Sequence, residues 1–396
     1  MFRTLFSLVL AGALAVSAAA QTATEYDVTK QANLKSKAVV ITGSPELTGL
    51  ATTAFRTHGD FRLVPSGAAY ALSFTSAGPS QVRLEISSTS QHRSVYSQVV
   101  SGTSSRNALL RAADVAVQQL TGLPGYFAGK ITFISERTGH REVYTSDLFF
   151  GEATQVTHDN AHALSPRWSP DGSRIIYTSF FRSGSPDIYV MTPSSGQRTP
   201  VATFKGTNSG ARFSPDGGRV AAVLSAGGNQ EIFIGSASGQ GFRRVTNSPG
   251  VEASPCWSPD GSRLVFTSDR GGRPALYTMP ASGGMMTALP TNISGYCAEP
   301  DWSRAKPNMI AFTCGVGAGF QVAIYDMSTR QSTIITRGGD SIEPCWLADG
   351  RHLLFTRRSG SSRQLMIVDT ENPTRPPVAI SPASIGQVSQ ANYIKR

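Results

Sequence analysis

Six histidines and four cysteines give this 396-residue chain most of its scope for chemistry. His158 and His162, with Asp159 between them, could offer two imidazoles and a carboxylate to a metal ion from one loop. The other four histidines (His58, His92, His140 and His352) stand isolated in the sequence. Cys256, Cys297, Cys314 and Cys345 allow three full pairings in an oxidising compartment. Cys297 lies shortly before Trp302 and Cys314 ends the following strand, so a hairpin turning near Lys306 sets the two nearly opposite and within disulfide reach. A Cys297–Cys314 bridge and four free thiols both stay open, while Cys256 and Cys345 are expected free and buried. No G-x-S-x-G, H-E-x-x-H, C-x-x-C or phosphate loop ending in Gly-Lys-Ser/Thr occurs. The residues themselves therefore suggest no catalytic site, no cofactor and no metal.

What must position these residues is an internal repeat. An aromatic followed by Ser-Pro-Asp-Gly, or a worn form of it, recurs at Trp168, Phe213, Trp257, Trp302 and Trp346, at spacings of 44 or 45 residues. A second register runs in step through Val143, Ile188, Ile232, Leu276, Val322 and Leu365, each within a short alternating strand. Such a period with four strands per unit predicts β-propeller blades. Pro-Asp-Gly supplies a preset φ, a capping carboxylate and a residue free to take positive φ, so Asp171, Asp216, Asp260 and Asp349 are read as turn residues rather than ligands. Pro166, Pro255, Pro300 and Pro344 precede the aromatics by two residues and remove a backbone donor, which places their strand innermost, edge-on to a channel. Second strands number six and anchored first strands five. Tyr393, preceded by a strand-like stretch and 47 residues after Trp346, is expected to supply the sixth by pairing with 130–135.

The chain is therefore expected to be mainly β: a six-bladed propeller over 126–396, closed by a C-terminal strand and preceded by a small α/β domain over 37–125. In that domain, strands are expected at 37–42, 68–75, 81–88 and 94–100 and helices at 46–58 and 105–121, the latter with a Ser cap and a Gly122 stop. Residues 1–20 read as a secretory signal, with Arg3, an apolar stretch and Ala18-Ala19-Ala20 before Gln21, which implies an exported periplasmic protein. Residues 21–36 read as a flexible tail. A charged content of 16% with 39 glycines and 23 prolines excludes a helical bundle and a solvated disordered chain. The net charge of +10 comes from scattered residues, so no nucleic-acid surface is expected.

The segments SPRWSPDGSRIIYTSF, ARFSPDGGRVAAVLS and PCWSPDGSRLVFTSDRGGRPALYTM resemble blades of the TolB family, periplasmic components of the Tol-Pal envelope system. The segment AADVAVQQLTGLPGYFAGKITFIS resembles that family's junction between its N-terminal domain and its propeller. The resemblance implies a monomeric scaffold rather than an enzyme. It would bind a Pal-like peptidoglycan-associated lipoprotein through the propeller and a TolA-like protein through the tail, with membranes reached only through these partners. Carried over by position, the Pal-binding surface would comprise His162, Ala163, Thr207, Asn208, Gly210, Glu252, Ala253, Glu299 and Glu343. Loops between second and third strands add an outer set of Arg137, Arg182, Arg270 and Arg357. A peptidoglycan- or sugar-binding propeller and a propeller hydrolase with a channel-mouth site are the alternatives.

Overall fold

The computed structural model describes residues 36–395. The segments read as a secretory signal and a tail, Ser36 apart, lie outside the described residues. Six four-stranded sheets follow one five-stranded sheet. The first sheet runs β2-β1-β3-β4-β5, built from β1 (Lys37–Gly43), β2 (Phe61–Leu63), β3 (Tyr70–Gly78), β4 (Gln81–Ser88) and β5 (Arg93–Ser101). β1 lies parallel to both neighbours, and β3, β4 and β5 form an antiparallel meander. Two helices pack on it, α1 (Pro45–Arg56) and α2 (Ser105–Thr121). α2 has the expected ends: Ser104 Oγ accepts the Asn107 N–H at 3.1 Å, and Gly122 takes the left-handed conformation that stops the helix. α1 ends earlier than expected, which frees the next residues to turn into β2, a strand too short to leave a periodic signal.

The blades follow in order, and the ring closes as the repeat count required. Val388–Ile394 pairs antiparallel with Lys130–Ser135, with Tyr393 opposite Ile131. In blades two to six the inner strands are Ala163–Trp168, Asn208–Phe213, Glu252–Trp257, Cys297–Trp302 and Asp340–Trp346. Every inner strand carries a register shift against its neighbour. At each shift one residue holds a left-handed φ of 52 to 60°: Ser165, Gly210, Ser254, Glu299, Glu343 and Gln390. Each stands three residues before its blade's aromatic. A bulge of this kind adds one residue to the strand and re-aims its side chain.

One hydrophobic core runs from the N-terminal sheet into the ring. Phe55, Phe61, Phe74, Tyr126 and Phe127 join Leu347, Leu354, Leu365 and Ile367 of blade six in a single cluster. The junction is pinned by Asp114 of α2, whose carboxylate accepts the Phe127 N–H at 2.6 Å and the Ala128 N–H at 3.2 Å. Burial pushes the Asp114 carboxyl up to about 6. The N-terminal layer meets the propeller on the side of the turns between first and second strands. The opposite mouth, where the inner strands begin, is left open.

Candidate partner-binding mouth and channel

The inner strands have no neighbour on their channel edge, so their N–H groups need other acceptors. Two tiers of side chains supply them, each reaching to the next blade. Nearer the aromatics, Asn392 Oδ1 accepts the Trp168 N–H at 2.8 Å and Asp301 Oδ2 the Trp346 N–H at 2.9 Å. Cys256 Sγ accepts the Trp302 N–H at 3.3 Å and Cys345 Sγ the Tyr393 N–H at 3.4 Å. Nearer the open mouth, Glu299 Oε2 accepts from Glu343 N at 3.1 Å, Glu343 Oε2 from Gln390 N at 2.9 Å and Gln390 Oε1 from Ser165 N at 2.7 Å. Thr313 and Thr356 hydroxyls donate to the same two glutamate oxygens at 2.7 and 2.8 Å. Each carboxylate is thereby fixed through Oε2. Burial, then the adjacent Glu343 charge, raises the Glu299 carboxyl above the usual range. Ser165, Gly210, Ser254, Glu299, Glu343 and Gln390 line one cavity at this mouth.

The residues expected to bind a partner do not all reach this surface. His162 is exposed, and Thr207, Gly210, Ala253, Glu299 and Glu343 are half-buried at the inner-strand starts. Ala163, Asn208 and Glu252 are buried. Asn208 holds the loop before it, its amide donating to Phe204 O at 2.7 Å. Glu252 is held between Ser248 and Ser268 hydroxyls at 2.6 and 2.8 Å and cannot meet a docked protein. Arg137, Arg182 and Arg270 are exposed in loops between second and third strands. Arg357 lies within the strand His352–Ser359 with its guanidinium over Phe355. Sequence reasoning missed Gln390, Ser165 and Ser254, because residue type is not constant around the ring at this position. Their constant offset from the aromatic was the available signal.

Burial, together with the neighbouring Glu231 carboxylate, pushes the Glu252 carboxyl up to about 7. The folded chain then holds this proton more tightly than the unfolded one, so stability falls as pH rises from the ordinary glutamate range through 7. Glu252→Gln is expected to match the parent near pH 4 and to exceed it at pH 8 by about 1–3 kcal/mol. Urea midpoints at the two pH values measure the difference.

Of the two cysteine states left open, a Cys297–Cys314 bridge and four free thiols, the structure has the second. The two residues are directly opposed in register, yet all four cysteines are free. The Cys297 thiol turns to the loop before its strand, 3.4 Å from Thr291 Oγ1 and 3.9 Å from the Ser294 carbonyl. The His158, Asp159 and His162 group does not assemble either, because Asp159 pairs with Arg198 at 2.9 Å.

The histidines that do meet are ones the sequence leaves apart. His58 and His352 rings lie 4.6 Å apart at the joint between the N-terminal layer and blade six, and both are fully buried. Asp349, read as a turn residue, also contacts His352 Nδ1 at 2.5 Å. These three could geometrically surround an ion. Their hydrogen bonds oppose it: Asp60 N–H donates to His58 Nδ1 at 3.3 Å and Gly59 N–H to His352 Nε2 at 3.2 Å. Each ring thus already accepts a backbone N–H on one nitrogen, and His352 meets Asp349 with its other. The group is a structural joint.

With this geometry in place the comparisons are decisive. The TolB beta propeller domain family matches residues 117–393. The chain belongs to this family. The solved structure of TolB from Acinetobacter baumannii superposes with a TM-score of 0.80 at 25% identity, over 90% of this chain and 96% of that one. "Tol-Pal system protein TolB" of Desulfosudis oleivorans is 36% identical over 141 residues, 36% of this chain and 32% of the relative. Its counterpart in Nitrosomonas europaea is 40% identical over 99 residues, 25% of this chain and 23% of the relative. These matches span no more than about a third of the curated TolB relatives. A chain in the solved nidogen/laminin complex shares the fold alone, with a TM-score of 0.56 at 12% identity over 67% of this chain and 98% of that one.

Proposed function

We propose that this chain is a periplasmic scaffold of a Tol-Pal system. It docks a Pal-like peptidoglycan-associated lipoprotein at the open propeller mouth and a TolA-like protein through the N-terminal tail, supporting outer-membrane integrity and cell division. It performs no catalysis of its own and reaches membranes only through its partners. The observation that carries this reading is the mouth itself: Glu299 and Glu343, each fixed through one oxygen, stand on the face that the N-terminal layer leaves open. Preset acids ringed by exposed arginines orient a charged protein surface and speed its encounter. Membership of the TolB propeller family and the names of the relatives support the same assignment.

Replacing Glu299 and Glu343 together by Gln removes charge but keeps the acceptors that cap the next blade. Calorimetry against a purified Pal-like partner is expected to show roughly tenfold weaker binding at low salt, with the difference shrinking at high salt. Unchanged affinity contradicts the assignment of the mouth. Binding of isolated cell wall with no protein partner present would favour a peptidoglycan-binding propeller instead.

A further inference from the structure

The tier nearer the aromatics has two exceptions. Where other blades place Asn392, Cys256, Asp301 and Cys345 as acceptors, blades two and three place Arg167 and Arg212, which can accept nothing. Arg212 is accounted for within the fold: its guanidinium pairs with Asp301 Oδ1 at 2.7 Å and reaches Pro300 O at 3.3 Å. Arg167 is not. Its hydrogen bonds go to two carbonyls, Pro166 O at 3.2 Å and Gln390 O at 3.4 Å, and among the described residues no carboxylate lies within ion-pair distance of it. The acids that act on it, Asp301 and Glu343, do so from beyond ion-pair distance, so its donors are not taken up by a carboxylate.

The space beside it is suited to hold one. Arg167 lies at the floor of a 280 Å³ funnel that opens on the side away from the glutamate mouth, walled by Trp168, Phe213 and Trp257. Arg304 and Lys395 stand at its rim. The channel is thus polarised, with acids at one mouth and bases at the other, and an anion is drawn in from the basic end. Arg212 and Asp301 pair with one another, so Arg167 is the guanidinium with no directly bonded carboxylate, and the nearby Glu299 and Glu343 disfavour a dianion. Flat aromatic walls favour an apolar body, and the volume holds about nine waters' worth of ligand.

We propose that this funnel binds a small organic carboxylate, anchored by a two-pronged contact to the Arg167 guanidinium. The funnel opens on the face opposite the proposed partner-binding mouth, although Arg167 also lines the cavity there beside Glu299 and Glu343; the test uses no protein partner, so its outcome is separate from that assignment.

The test is titration of the full mature chain with benzoate, followed by calorimetry and tryptophan fluorescence at low salt. One saturable site is expected, weakened at least about tenfold by Arg167→Met and only partly by Arg167→Lys, with inorganic phosphate binding more weakly than benzoate. Absence of saturation up to ~10 mM benzoate in the parent, or equal affinity in Arg167→Met, overturns the proposal. Should Arg167→Met fail to fold, crystals of the parent soaked with 4-bromobenzoate decide. Anomalous bromine signal in the funnel with the carboxylate on Arg167 supports the site, and bromine elsewhere or none refutes it.

Discussion

Removing Val388–Arg396 is expected to destroy cooperative folding of the ring. The deleted strand is the inner strand of blade one, so its loss bares the edge of Lys130–Ser135 and leaves five complete blades. It also removes both neighbours' inter-blade contacts, since Asn392 accepts from Trp168 and Cys345 accepts from Tyr393. The N-terminal layer loses its tether too: Tyr393 Oη donates to Tyr126 O at 2.9 Å and Lys395 Nζ to Gly125 O at 2.6 Å. Gly129 shows how tight this closure is, because a Cβ there would lie 2.0 Å from the Tyr393 ring. Calorimetric unfolding should show loss of the main transition, with aggregation during purification. An unchanged midpoint would mean that the ring closes by another route.

Arg351→Met is expected to cost about 3–5 kcal/mol, the largest effect of a single substitution, because it leaves a buried acid without its cation. The Arg351 guanidinium holds Asp369 through both oxygens, at 2.8 and 2.7 Å, and reaches Asp60 of the N-terminal layer at 2.7 Å. The backbone at Gly59 passes so close that a Cβ there would fall 1.6 Å from Asp369 Oδ2. Beside this contact sits His58, whose pKa is driven well below the ordinary histidine value by burial and then by His352 and Arg351. The unfolded chain takes up a proton that the folded chain refuses, so this joint loses stability as pH falls below about 6.5. On acidification from pH 7.5 to 5.5 the denaturant midpoint should therefore fall relative to that of a His58→Gln variant, which isolates this group from the opposite contribution of Glu252, and limited proteolysis of Arg351→Met should cut first near the joint. A midpoint that is indifferent to Arg351→Met would show that apolar packing alone holds the two parts together.

The ring was legible because its signals are local and repeated: an aromatic, a turn with fixed chemistry and a proline on a free edge, all in one register. α2 was legible for a similar reason, since Ser104 and Gly122 mark its ends with side-chain and backbone chemistry. The joint was not, because His58 and His352 belong to elements far apart in sequence and neither has a motif around it. Glu252 misled because position alone cannot show that an inner-strand start turns its side chain into the blade interface rather than the mouth. The channel ladder was hidden for a different reason: Asn, Asp and Cys are interchangeable there as acceptors, so residue type does not repeat even where the role does.

The assignment of the open mouth as the docking face is tested most directly by site-specific photo-cross-linking in living cells. A photoreactive side chain at His162, exposed at the mouth, should capture a Pal-like lipoprotein, while one at Ser262, exposed in the turn on the opposite face, should not. Capture from position 262, or from neither position while the complex still co-purifies, would contradict the account.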